Sequence, residues 1–68
     1  GSEVHVLSPA AGIQAIKIVD ICGRLVISYP LNLENSVTIG LDELGEGLYF
    51  MIVHTETGDV NQKLMINR

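Results

Sequence analysis

Few residues of this chain have the types to do chemistry: two histidines, one cysteine, a loop of carboxylates and a glycine-rich turn. His5 and His54 both fall in segments that read as strands. Neither has a cysteine or acidic partner at a metal-ligand spacing, so the ordinary reading is a surface or half-buried histidine. Cys22 lies in a turn. A cysteine nucleophile needs a base and a lowered pKa, and no histidine-bearing motif accompanies it. Asp42, Glu43 and Glu46 make an acidic loop, but calcium takes about six to eight oxygen ligands and the alternating Asp/Asn pattern is missing. Paired carboxylates for glycoside hydrolysis would also need a cleft, for which short strands leave little room. Gly45-Glu46-Gly47 precedes a strand rather than a helix, so it does not read as a phosphate loop. The expectation is a chain with no catalytic residue, no metal, no cofactor and no small-molecule substrate.

Composition sets the frame for these residues. Sixty-eight residues make one domain at most. Such a chain buries only about 60% of its unfolded surface, so its stability is marginal. A single cysteine excludes an internal disulfide, and the usual staples of a small domain are missing. A hydrophobic content of 47% and a mean hydropathy of +0.36 fit a folded domain with apolar surface to spare. A net charge of −4 and a pI near 4.8 weigh against nucleic acid or an anionic membrane as partner. The basic residues Lys17, Arg24, Lys63 and Arg68 are spread along the chain. No apolar run approaches the roughly 20 residues of a membrane-spanning helix. Gly1-Ser2 reads as a cloning remnant, so residues 3–68 are expected to be a piece of a longer protein.

The elements that must position these residues read as strands throughout. Glu3 to Leu7 alternates polar and apolar residues, and Ser8-Pro9-Ala10-Ala11-Gly12 breaks it. Ile13 to Ile21 is the second predicted strand, with Ile16 and Ile18 on one face and Lys17 on the other. Val19 and Ile21 fall on the Lys17 face, so the strand end is either two-sided or locally irregular, as a bulge would make it. Asp20-Ile21-Cys22-Gly23 suits a type I turn closed by a left-handed glycine. Arg24 to Tyr29 returns as the third strand, and Pro30 to Asn35 reads as a polar link with Leu31 and Leu33 tucked beneath it. Ser36 to Leu41 alternates, with Val37, Ile39 and Leu41 facing in. Asp42 could cap one helical turn, with Leu44 pegged into the core. Leu48 to Val53 is an unbroken apolar run, short and rich in aromatic and branched residues. Tyr49, Met51 and Val53 share one face and Leu48, Phe50 and Ile52 the other, so the strand is either central or presents Phe50 and Ile52 to a partner. Glu56 to Asp59 turns the chain, and Val60 to Asn67 is the last strand. Regularly spaced turns without helical periodicity predict an all-β sandwich or barrel of about six short strands.

Three segments in order carry a family resemblance. Ile16-Lys17-Ile18-Val19-Asp20-Ile21-Cys22-Gly23-Arg24-Leu25-Val26 resembles the Val-x-Ile-Tyr-Asp-x-x-Gly-Arg-x-Val hairpin of type IX secretion system C-terminal sorting domains, found in bacteria of the Bacteroidetes group. Leu41-Asp42-Glu43-Leu44-Gly45-Glu46-Gly47-Leu48-Tyr49 resembles the Leu-x-x-Leu-x-x-Gly-x-Tyr of that family. Thr57 to Ile66, with Gly58 and Lys63-Leu64-Met65-Ile66, resembles its terminal x-Gly-x-x-x-x-Lys-Leu-x-Ile.

The resemblance implies an immunoglobulin-like antiparallel β-sandwich of six to seven strands that serves as a secretion signal. It implies a cargo that passes through the periplasm, crosses the outer membrane by the type IX translocon and is cleaved at the surface by a sortase-like peptidase. Those protein partners are the expected ones. By the same resemblance, Gly23, Arg24, Lys63, Leu64, Met65 and Ile66 are candidate recognition residues, and Asp20, Gly47, Tyr49 and Gly58 are structural motif positions. Arg24 has two open readings: its fork contacts the machinery, or it pairs with Asp20 across the hairpin. The final strand is the better candidate for machinery contact, by strand addition to an exposed edge. The family's early Pro-Asn-Pro segment is absent, and only Ser8-Pro9 stands near the start. The expectation is therefore that the first strand is missing, leaving an open edge able to form a homodimer or strand exchange. The alternative function, a stand-alone adhesion or carbohydrate-binding sandwich, predicts an aromatic platform from Tyr29, Tyr49 and Phe50, in a chain without tryptophan.

Overall fold

A computed structural model of the chain describes residues 2–67; Gly1 of the expected remnant and Arg68 lie outside the described residues. Six strands run β1 (Glu3–Leu7), β2 (Ile13–Asp20), β3 (Leu25–Glu34), β4 (Ser36–Gly40), β5 (Gly47–Thr55) and β6 (Gly58–Ile66). They form two antiparallel sheets, β1-β4 and β3-β2-β5-β6. The protein is all-β and sandwich-like, with a strand count inside the expected range.

Period-two alternation explains which faces meet. On β2, Ile13, Ile16 and Ile18 are fully buried, and on β5, Met51 and Val53 are buried beside them. Ile39, Leu41 and Leu44 close over them from the other side, with Val4, Val6 and Val37 packed around the cluster. Ile66, at the end of β6, completes it. Leu44 pegs its loop into the core as expected, but no helical turn forms there. The Leu44 amide donates to the Leu41 carbonyl at 3.0 Å in a plain turn, and the Asp42 carboxylate accepts from the Ser2 amide at 2.8 Å instead of capping a helix.

The largest departure from expectation is β3. It does not stop at Tyr29; it continues through Pro30 to Glu34. β3 is an edge strand, the place in a sheet where proline is tolerated, because half of its amides face away from the neighbouring strand. The alternation is hidden by irregular pairing: between Ala15↔Pro30 and Ile13↔Glu34, β3 advances four residues while β2 advances two. Leu33 sits in this excursion at φ 58° and is largely exposed, while Leu31 tucks against the core as expected. A second shift between Ile18↔Ile27 and Val19↔Leu25 leaves Val26 as the extra residue. β2 itself stays regular against β5 here, so Val19 remains on the Lys17 face and the end of β2 is two-sided, while the irregularity lies on β3. The predicted bounds move accordingly: Ile21 and Arg24 belong to the connecting turn, not to the strands.

Gly12 is fixed by a close approach. Its amide donates to Glu56 Oε1 at 2.8 Å, and its carbonyl accepts from the Glu56 amide at 3.1 Å, which ties the start of β2 to the β5–β6 turn. A Cβ at Gly12 would lie 2.8 Å from Leu33 Cβ and 3.0 Å from Leu33 Cα. Gly12→Ala is therefore expected to cost about 1–3 kcal/mol as an overpacking substitution. A domain of this size has only about 3–10 kcal/mol in total. Urea unfolding followed by circular dichroism measures the shift, and an unchanged midpoint would mean that Leu33 gives way freely.

Candidate recognition surface

The hairpin tip is built around one carboxylate. Gly23 lies at φ 84°, the left-handed conformation that glycine takes without a Cβ penalty, and its amide donates to the Asp20 carbonyl at 3.0 Å. The Asp20 side chain then collects three donors: the Cys22 amide at 2.9 Å and the Arg24 amide at 3.0 Å on Oδ1, and Arg24 Nε at 2.9 Å on Oδ2. The Arg24 amide foremost, with its guanidinium and the Cys22 amide, holds the Asp20 carboxyl below the ordinary value of 3.8; partial burial opposes them. Of the two readings of Arg24, the pairing with Asp20 is present. The guanidinium side chain is nonetheless 81% exposed.

The second motif is a strapped loop leading into β5. Leu41 and Leu44 are buried, Gly47 begins the strand, and the Tyr49 hydroxyl donates back to the Gly45 carbonyl at 2.9 Å. The third motif is β6. Gly58 follows the two-residue turn after Thr55, whose hydroxyl donates to the Gly58 carbonyl at 2.8 Å. Of the terminal residues, Ile66 is buried, Leu64 is half-buried, and Lys63 and Met65 are exposed.

Strand pairing brings all three motifs to one end of the four-stranded sheet. Asp20 pairs with Tyr49, Tyr49 with Leu64, Leu48 with Met65, and Gly47 with Ile66. An open depression there is lined by Asp20, Arg24, Gly47 and Tyr49 together with Ile21, Cys22, Glu46 and Leu48. A second, beside it, is lined by Val19, Asp20, Ile21, Gly23, Phe50, Ile52 and Asn61. Of the expected site residues, Gly58 alone stands at the opposite end, at the β5–β6 turn. Sequence reasoning missed Ile21, which lines both depressions, and Leu48. Their signal was two large apolar residues flanking a turn motif and a glycine.

The residues that could do chemistry are kept apart. His5 Nδ1 meets Thr38 Oγ1 at 2.8 Å on the β1-β4 sheet; His54 Nδ1 meets Asp59 Oδ1 at 2.8 Å on the other; Cys22 is exposed at the hairpin tip. Among the described residues no group of three or more metal-ligating side chains comes together. Nor do the aromatics form a platform. Tyr29 pairs with Ile16 and Tyr49 with Asp20 on the core-facing side, whereas Phe50 pairs with Val19 on the outer side.

A small β-sandwich whose sequence motifs gather at one sheet end, around a turn and an edge strand, has the form of a recognition module. The chain belongs to the family of secretion system C-terminal sorting domains, whose sequence profile matches residues 2–67. Domains of this family are C-terminal sorting signals of type IX secretion, which carry proteins across the outer membrane to the cell surface or beyond; the family is not a catalytic one. Nothing supports the adhesion alternative. No curated protein and no solved structure matches the chain significantly.

Two outcomes are expected at this end of the sheet. Tyr49→Phe removes the bond to the Gly45 carbonyl and should cost about 0.5–1.5 kcal/mol in urea unfolding; no loss would show the strap to be idle. Because Asp20 has a lowered folded-state pKa, its contribution is full above pH 3.8 and is lost as pH falls through the folded value. Unfolding profiles from pH 5 to pH 2 should therefore be flatter for Asp20→Asn than for the parent, and parallel profiles would refute this.

Proposed function

We propose that the type IX machinery reads this chain at the sheet end where its three motifs meet, through the free edge of β6 and the hairpin carrying Gly23 and Arg24. The observation that carries the reading is the pairing of Asp20, Gly47, Tyr49, Leu64, Met65 and Ile66 into one locality beside an open strand. The two edges of the sheet are unequal. β3 carries Pro30, two register shifts and a left-handed Leu33, all of which discourage pairing with another strand. β6 runs nine residues without a proline or a shift, and its only charged side chains are Asp59 near its start and Lys63. An extended partner segment can add to it by main-chain hydrogen bonds. Asp20 holds the exposed Arg24 guanidinium in place, so its planar fork is oriented before a partner arrives.

In this reading the partners are the translocon and a sortase-like peptidase. The cargo passes through the periplasm, and the domain itself performs no catalysis and needs no cofactor. Without its partners, the β6 edge pairs with a second copy, giving a homodimer or strand-exchanged form. Light scattering at micromolar concentration should then give a mass above that of the monomer, and a strictly monomeric mass would reject the dimer.

The export test fuses the chain to a periplasmically targeted fluorescent protein in a host carrying the secretion system. Loss of export on deleting residues 63–68 is expected, but that deletion also removes buried Ile66. Single prolines at Asn61 and Gln62 separate edge from fold. Successive amides point opposite ways along a strand, so one proline strikes the β5 ladder and the other only the free edge. The variant that keeps its melting temperature should lose export. Export equal to the parent would overturn edge reading.

A further inference from the structure

The outer face of the four-stranded sheet carries an apolar patch with a charge unlike that of the rest of the chain. Register sets Leu25, Val19, Phe50 and Lys63 side by side across β3, β2, β5 and β6. Ser28, Lys17, Ile52 and Asn61 form the adjacent row, and Leu48 with Met65 the row on the other side. Phe50 is 39% exposed, Leu25 56% and Met65 60%, while Val19, Leu48 and Ile52 are half-buried. Large apolar side chains in three consecutive rows make a continuous patch rather than scattered exposure.

Lys63 stands directly across from Phe50, and Lys17 stands diagonally to it, across from Ile52. Two lysines therefore flank Phe50 in the register, with stems long enough to lie along the apolar surface. The chain as a whole carries −4. None of its eight carboxylates stands on these rows: Glu3 is on β1, Glu34 ends β3, Glu56 is in the β5–β6 turn, and Asp42, Glu43 and Glu46 are in the β4–β5 connection, while Asp20, bonded to Arg24, and Glu46 border the patch at its hairpin end. Asp59, one row further along the outer face, is bonded to His54.

We propose that this face docks an acidic segment of the export machinery, with an apolar side chain of the partner seated on Val19, Phe50 and Ile52 and its flanking carboxylates on Lys17 and Lys63. The proposal rests on the sorting-signal reading above and adds the chemistry of the partner. Charge selects this occupant over a second copy: two copies meeting through this face would bring four ammonium groups together around a desolvated patch. A short acidic segment meets only this lysine-bearing face, whereas a longer nucleic acid would also meet the negative remainder of the chain.

The first test is a nitrogen-15 NMR titration of the intact chain with a synthetic peptide of alternating Glu and Phe, compared with the same peptide carrying Gln for Glu. Shifts should centre on Val19, Phe50, Ile52 and Lys63. The Gln peptide, and the parent peptide against Lys17→Glu/Lys63→Glu, should bind about five- to tenfold more weakly, and Lys17→Arg/Lys63→Arg should retain binding. Equal binding of the Gln peptide, no shifts at millimolar peptide, or shifts confined to other residues overturns the proposal. Concentration-dependent shifts of Val19, Phe50 and Ile52 without peptide, away from the β6 edge that pairs with a second copy, overturn it in favour of a second copy on this face. The export fusion supplies the second arm: Lys17→Glu/Lys63→Glu should lose export while keeping its melting temperature. If that variant is exported like the parent, the docking face fails and the sorting reading stands. If neither is exported, the sorting reading fails and takes the proposal with it.

Discussion

Two strands cannot cover four. Strands in a sheet lie about 4.8 Å apart, so the inner face of β3-β2-β5-β6 is roughly twice as wide as the β1-β4 sheet resting on it. The covered middle is β2 and β5, where Ile13, Ile16, Ile18, Met51 and Val53 are buried. The margins stay open even on the core-facing side. Val60 pairs with buried Val53 yet is 56% exposed, and Tyr29 pairs with buried Ile16 yet is 40% exposed. With no disulfide available and a single narrow core, the fold depends on how well this middle strip closes.

The three motifs are best understood as solutions to closing that strip at one end. Gly23 and Asp20 make the β2–β3 reversal tight. Leu41 and Leu44 bring the chain from the small sheet to the large one, and Tyr49 straps the entry to β5 through the Gly45 carbonyl. Ile66 seals the end from β6. The pairing of Gly47 with Ile66 puts the last two devices side by side. A residue can thus serve the fold and stay accessible at once. Arg24 is the clearest case: its Nε serves the hairpin through Asp20, while the side chain stays mostly in solvent.

What was legible in the sequence was local. Alternation gave β1 and β4, a glycine three residues after an aspartate gave the hairpin tip, and a leucine inside an acidic loop gave the peg. The β3 extension was not legible, because Pro30 and an irregular pairing with β2 scramble the period-two signal on an edge where burial enforces it weakly. Asp42 was misread as a cap because its partner, the Ser2 amide, lies 40 residues away. The candidate site followed the same rule. Each motif was visible alone, but their meeting depends on β2 pairing with β5, a non-local choice that no window of sequence contains. Ile21 looked like the end of a strand and proved to be the turn residue that borders both depressions.

The free edge and the outer face are one continuous surface. Lys63 and Met65 belong to both: their backbone lies on the last strand of the sheet, and their side chains stand in the rows of Phe50 and Leu48. A strand added to β6 would extend those rows by one position. Its residue opposite Lys63 would share a face with Phe50 and Val19, and a carboxylate there would meet an ammonium beside an apolar surface rather than in bulk water. Main-chain pairing alone fixes affinity with little regard to sequence; the side-chain row supplies the discrimination. The lightly guarded β6 edge would by itself accept many extended segments. On the docking proposal, the Lys17–Phe50–Lys63 arrangement would restrict those that dock well to chains pairing an apolar residue with acidic neighbours.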